Sequence, residues 1–81
     1  DIEESCRKDI VRIEQELDDI EDRYKDFVAM EDKKRIRNVL YEVKSLLGQK
    51  KIFSARKHLD SIDGDTDKLE RASKEAFIRN S

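Results

Sequence analysis

A single apolar seam dominates the first third of the chain. From Cys6 onward, apolar residues recur alternately four and three positions apart, and most of the intervening residues are charged. This 3.5-residue spacing places one stripe along one side of an α-helix, whereas a strand needs a period of two. It predicts a helix over about residues 2–28, roughly 40 Å long at 1.5 Å per residue. The seam consists of Cys6, Ile10, Ile13, Leu17, Ile20, Tyr24 and Phe27.

Helix breakers are scarce, so their positions are informative. The chain has no proline and two glycines, Gly48 and Gly64. Gly48 is predicted to end a second helix over 31–47 in the left-handed conformation that glycine adopts easily. Gly64 is predicted to end a third helix over 52–63.

The remaining segment predicts a fourth helix over 66–79, with Asp65 or Thr66 as its N-cap. Short links between helices predict that consecutive helices lie antiparallel. Phe53, beside the inner face of the third helix, is expected to close the end of the bundle. The predicted inner face of the fourth helix consists of Leu69, Ala72, Ala76 and Phe77.

These elements predict one all-α domain over residues 1–81. The expected architecture is a small antiparallel helical bundle of three to four helices with one long N-terminal helix. With 36% apolar residues in 81, the core must be thin. The predicted bundle core consists of Ile13, Leu17, Ile20, Tyr24, Ile36, Leu40, Val43, Leu47, Leu59, Ile62 and Leu69.

Charge is distributed unevenly along the chain despite a net charge of −2. Residues 1–32 hold thirteen acidic and five basic side chains, whereas residues 33–58 hold one acidic and nine basic. An antiparallel hairpin would bring the acidic first helix alongside the basic second helix. Exposed pairs contribute only about 0–1 kcal/mol each, so the apolar seams are expected to supply most of the stability.

No catalytic, cofactor-binding or metal-binding residues are predicted, so we do not expect an enzyme. The acidic residues of the first helix lie between seam positions and are expected to face solvent. His58 has no second titratable partner in its motif, and the single cysteine excludes an internal disulfide. No apolar run approaches the 18 residues of a membrane span.

Two interaction functions remain open from the residues alone. The first-helix seam could serve a free-standing interaction or oligomerisation module through a coiled coil. A nucleic-acid-binding surface is the other, but a strongly acidic helix is expected beside the basic segment. The basic residues concerned are Lys33, Lys34, Arg35, Arg37, Lys50, Lys51, Arg56 and Lys57.

The run from Glu31 to Leu69 carries several short motifs in a fixed order. The second helix opens on Glu31-Asp32-Lys33, and Ile36 follows three residues after the lysine. Spaced aliphatic residues then lead to a leucine pair before a glycine, and a further helix leads to a Lys-Leu step. The residues of these later motifs are Leu40, Val43, Leu46, Leu47, Gly48, Leu59, Ile62, Lys68 and Leu69. With this joint spacing, the run resembles the C-terminal helical lid of the heat shock protein 70 family, the DnaK-type chaperones.

The resemblance implies a lid that closes over a peptide-binding domain of the same parent chain and slows release of unfolded client peptides. It implies no cofactor in this segment and ATP bound elsewhere in the parent, in the cytoplasm or another intracellular compartment. Asp9 is then the candidate latch to the peptide-binding domain. Because Asp1 stands where an initiator methionine would, we expect an excised C-terminal fragment of a larger chaperone.

Overall fold

A computed structural model describes residues 1–80, which form four α-helices and no strand. Helix α1 spans Ile2–Tyr24, α2 spans Met30–Gly48, α3 spans Ile52–Ser61 and α4 spans Asp65–Arg79, with a 3-10 turn at Lys25–Phe27. The helices pack into a rod of 46 × 20 × 16 Å. The prediction of an all-α bundle with one long N-terminal helix is confirmed.

Helix α1 begins at a capped end and stops earlier than the predicted residue 28. The Asp1 carboxylate accepts a hydrogen bond from the Glu4 backbone N–H at 2.7 Å. At the other end Lys25 adopts a φ of 43°, which breaks the helix after Tyr24. The 3-10 turn that follows brings Val28 into the core, where it is 8% exposed.

Ion pairs between helices establish the direction of each element. Helix α2 runs antiparallel to α1 and α3 runs antiparallel to α2, as predicted, but α4 continues in the same direction as α3. The expectation that α3 and α4 would be antiparallel was therefore wrong. The pairs that give the directions are Lys44–Glu14 and Lys33–Glu21 for α2, and Arg56–Asp9, Arg12–Asp63 and Arg23–Glu70 for α3 and α4.

The link between α3 and α4 bends the chain without reversing it. The Ile62 N–H donates to the Leu59 carbonyl at 3.2 Å, and the Asp65 N–H donates to the Ile62 carbonyl at 3.0 Å. Each bond joins residues three apart, as in a 3-10 helix, so the chain continues in a tight right-handed turn. The bundle consequently consists of three helical segments. The first is α1, the second is α2, and the third is α3 followed by α4 with a bend at their link.

Gly48 does not end α2 in the way predicted. It lies within the helix, and neither glycine has a positive φ. The left-handed residue is Lys50, with a φ of 64°. The Lys50 N–H donates to the Leu47 carbonyl at 3.0 Å and the Lys51 N–H to the Leu46 carbonyl at 2.9 Å. These two bonds form a Schellman motif with a lysine where glycine is usual.

The predicted role of Gly64 is also wrong. Helix α3 ends earlier, at Ser61, and Gly64 is the N-cap of α4 with a φ of −85°. Neither predicted capping residue holds that position, because Asp65 is already the first residue of α4. Thr66 is 1% exposed, and its hydroxyl donates to the Asp63 carbonyl at 3.5 Å. The sequence rule failed because the Thr66 side chain is turned into the core.

The core is one continuous cluster along the rod axis. Of the predicted core residues, Tyr24 is half-buried and all the others are at most 3% exposed. The cluster also contains Cys6, Ile10, Val28 and Ala55. Because the α1 seam from Cys6 to Ile20 is at most 4% exposed, it is covered within the chain.

The inner face of α4 differs from the prediction. Leu69 is buried as predicted, but Ala72 is exposed, Ala76 is half-buried and Phe77 is 42% exposed. Thr66 and Ser73, both 1% exposed, take the inward positions instead. Apolar periodicity cannot reveal these polar residues. Phe53, expected to close the bundle end, is 78% exposed because it lies on the outer side of α3.

Candidate interaction surfaces

The acidic α1 and basic α2 are joined by a row of ion pairs across their shared edge. Arg37 donates to Glu21 at 3.0 Å and to Asp18 at 3.2 Å, and Lys33 lies 3.4 Å from Glu21. The hydrogen bond from Arg37 is the main reason that the pKa of Glu21 lies below its ordinary value. The pairing of acidic and basic flanks predicted from the sequence is therefore present.

Asp9, the candidate latch, lies inside a second ion cluster. Arg56 on α3 is 2.9 Å from Asp9 and 2.6 Å from Asp60. The pKa of Arg56 is raised, first by its hydrogen bonds with Asp60 and then by those with Asp9. Arg12 also lies 3.9 Å from Asp9. The Asp9 carboxylate, 28% exposed, thus helps to hold α3 against α1.

Internal pairing uses most of the basic segment that suggested a nucleic-acid surface. Five of its eight residues form ion pairs with acidic side chains, which reduces the charge available to phosphates. The paired residues are Lys33, Arg35, Arg37, Lys50 and Arg56. Among the described ion pairs, none involves the other three, Lys34, Lys51 and Lys57.

His58 and Cys6, the side chains considered for a chemical role, both contact other residues of the bundle. Nδ1 of His58 lies 2.8 Å from the Ser54 carbonyl oxygen, and its Nε2 lies 3.3 Å from Glu42. Cys6 is fully buried in the core. Within residues 1–80, no three His, Cys, Asp or Glu side chains are grouped as they would be to hold a metal ion.

An aromatic cluster closes the end of the rod where α1 and α4 finish. We call Tyr24, Phe27, Phe77 and Ile78 the aromatic end. The Phe77 ring makes edge-to-face contacts with Tyr24 and Phe27, each at 5.8 Å between ring centroids. Phe27 remains 36% exposed and Ile78 58% exposed. The two phenylalanine rings therefore contact each other while part of each remains open to solvent.

None of the four described helices is both long and apolar enough to cross a membrane. Comparison with known proteins gave no matching family model, no matching curated protein and no matching solved structure. Function is therefore inferred from the chain's own residues and from the resemblance of residues 31–69.

Proposed function

We propose that this chain is a non-catalytic helical lid of a heat shock protein 70 type chaperone. The supporting observation is that residues 31–69, which carry the resemblance, form α2, α3 and the start of α4. All three helices pack their apolar faces on the central cluster shared with α1. A lid must move as one piece, and a single closed core provides that rigidity.

The lid would act on binding kinetics and would carry out no chemistry. Closure over a bound extended peptide obstructs its departure, so the effect is expected in the dissociation rate. The partners would be the peptide-binding domain of the same parent chain and unfolded client peptides. ATP would bind in a separate domain of that parent.

The ion cluster around Asp9 adds a specific condition to this proposal. A latch between Asp9 and the peptide-binding domain would have to compete with Arg56, which is 2.9 Å away. Replacing Arg56 by glutamine would leave Asp9 with Arg12 alone, 3.9 Å away, and so strengthen the latch, at some cost to the contact between α1 and α3. The latch to the peptide-binding domain and the contact between α1 and α3 would therefore compete for the Asp9 carboxylate.

A fusion experiment tests the lid role. The chain is joined to a heat shock protein 70 peptide-binding domain that lacks its own lid, and release of a fluorescent hydrophobic peptide is timed. We expect slower release than from the lidless domain, and faster release again after Asp9→Ala. Lys57→Ala, which removes an exposed charge on α3, is the matched control. Release at the lidless rate by the unmodified fusion would contradict the proposal.

The second candidate is a free-standing interaction or oligomerisation module, favoured by the exposed aromatic end. The part of the α1 seam from Cys6 to Ile20, which suggested a coiled coil, is covered inside the bundle, so association would use an outer surface. Sedimentation equilibrium of the isolated chain separates the two candidates. A strictly monomeric chain contradicts the module as an oligomer, and the peptide-release assay judges the lid independently.

A further inference from the structure

Four of the eight large apolar side chains that are exposed within residues 1–80 lie at one end of the rod. Phe27, Met30, Phe77 and Ile78 lie where α1 and α4 end and α2 begins, and each is at least 36% exposed. The other four, Ile2, Val11, Tyr41 and Phe53, lie elsewhere on the rod. Scattered apolar residues need no explanation, but Phe27 and Phe77 are in direct contact, so that part of the exposed apolar surface is continuous.

An acidic flank borders the aromatic end on the α1 side. Asp19 and Asp22 are three residues apart on the outer side of α1, and both are exposed. Neither forms an ion pair with any residue that the structure describes. Lys25 follows on the turn and offsets part of this charge, which leaves the flank negative overall.

A basic flank borders it on the α4 side. Arg71 and Lys74 are three residues apart on the outer side of α4, exposed, and outside the ion pairs among residues 1–80. Glu75 offsets part of their charge. Arg23 on α1 and Glu70 on α4 lie between the two flanks, with their side chains 3.4 Å apart.

We propose that the aromatic end and its two flanks form a self-association surface that binds a second copy of this chain. A two-fold axis through the aromatic end would place the acidic flank of each copy against the basic flank of the other. Every favourable charge contact would then occur twice, as an isologous interface requires. The apolar centre would be buried between the copies, and the charges would set orientation.

The charge arrangement is what selects a second copy as the occupant. A second copy rotated by 180° presents the same apolar centre. Its basic flank then faces the acidic flank of the first copy, and its acidic flank faces the basic flank of the first copy. The inference rests on the second candidate function, an oligomerisation module, and does not depend on the lid role. The peptide-release assay can therefore succeed while this proposal fails, or the reverse.

Charge reversal with mutual rescue is the decisive experiment. We expect concentration-dependent dimers of the unmodified chain in sedimentation equilibrium, with a Kd on the order of tenfold higher in high salt. Asp19→Lys with Asp22→Lys should abolish self-association, and so should Arg71→Glu with Lys74→Glu. Mixing the two reversed proteins should restore a dimer, because each supplies the flank that the other lacks. A mixture that stays monomeric would overturn the proposal.

A pair of phenylalanine substitutions tests the apolar centre. Phe77→Gln should weaken dimerisation at least tenfold. Phe53→Gln, at the opposite end of the rod and 78% exposed, should leave dimerisation unchanged. Circular dichroism establishes that both variants are folded, and Ile78→Gln provides a second probe if Phe77→Gln unfolds. Equal weakening by Phe53→Gln, or an unmodified chain that is monomeric at all concentrations, would refute the surface.

Discussion

Replacing Gly48 by alanine distinguishes two descriptions of how α2 ends. The structure has Gly48 inside the helix, and a Cβ atom added there would meet no atom within 4 Å. Alanine should then stabilise the fold by about 0.5–1 kcal/mol, because glycine loses more backbone entropy in a helix. If Gly48 were the left-handed residue expected from the sequence, the same change would destabilise the fold by about 1–2 kcal/mol. The two descriptions thus predict opposite signs.

Lys50→Gly is the companion substitution. Lys50 has a φ of 64°, a conformation that costs an L-residue roughly 1–2 kcal/mol. Glycine removes that cost but gains entropy in the unfolded chain, so the net stabilisation should be about 0.5–1 kcal/mol. The hydrogen bonds from Lys50 and Lys51 to the end of α2 are made by the backbone and survive the change.

Thermal unfolding followed by circular dichroism measures both effects. For a domain of this size, 0.5–1 kcal/mol corresponds to a rise of about 2–8 °C in Tm. Gly64→Ala is the matched control, since Gly64 is an N-cap, where alanine gives no gain. A lower Tm for Gly48→Ala would refute the assignment of the left-handed residue to position 50.

The core and the ion pairs lead to three further predictions. Leu17→Ala should cost about 2–4 kcal/mol in urea denaturation because Leu17 is fully buried, whereas Val11→Ala, 63% exposed on the same helix, should change stability little. Ser73→Ala should stabilise by about 1 kcal/mol, since the buried Ser73 hydroxyl makes no hydrogen bond within residues 1–80; exposed Ser54→Ala should give less, and no difference between them would contradict this account. The pKa of Glu21 in the folded protein lies below its ordinary value of 4.5, so the Glu21 carboxylate stabilises the fold at pH values above 4.5. This stabilisation is lost as the pH falls through the pKa of the folded state. Glu21→Gln should therefore reduce the acid-side loss of Tm by an amount equivalent to less than about 1 kcal/mol, and an unchanged pH profile would count against the cross-helix pair.

The elements with a strong apolar period were predictable from the sequence. The α1 seam needed no tertiary information, because seven residues at alternating spacings of four and three leave one surface to bury. The same reasoning located the inner faces of α2 and α3. The pairing of acidic α1 with basic α2 also followed, since opposite charges on adjacent antiparallel helices face one another.

The candidate surfaces were harder to predict. Phe77 was expected inside and Phe53 at the bundle end, but apolar character alone does not reveal which side of a helix another helix covers. The aromatic end arises because the early stop of α1 places Phe27 beside Phe77, at 5.8 Å. Residues 50 positions apart in sequence come together there, and no local pattern indicates such a contact.

By itself, the sequence determined the helical class, the long first helix, the central core residues and the charge complementarity between helices. These properties depend on periodicity and composition, which are local and repeat many times along the chain. Only the tertiary structure decided which residue adopts the left-handed conformation, that α4 continues in the direction of α3, and that Thr66 and Ser73 are turned inward. Each of these depends on a single backbone conformation selected by packing between distant helices, so its energetic reason lies outside the segment in which it occurs.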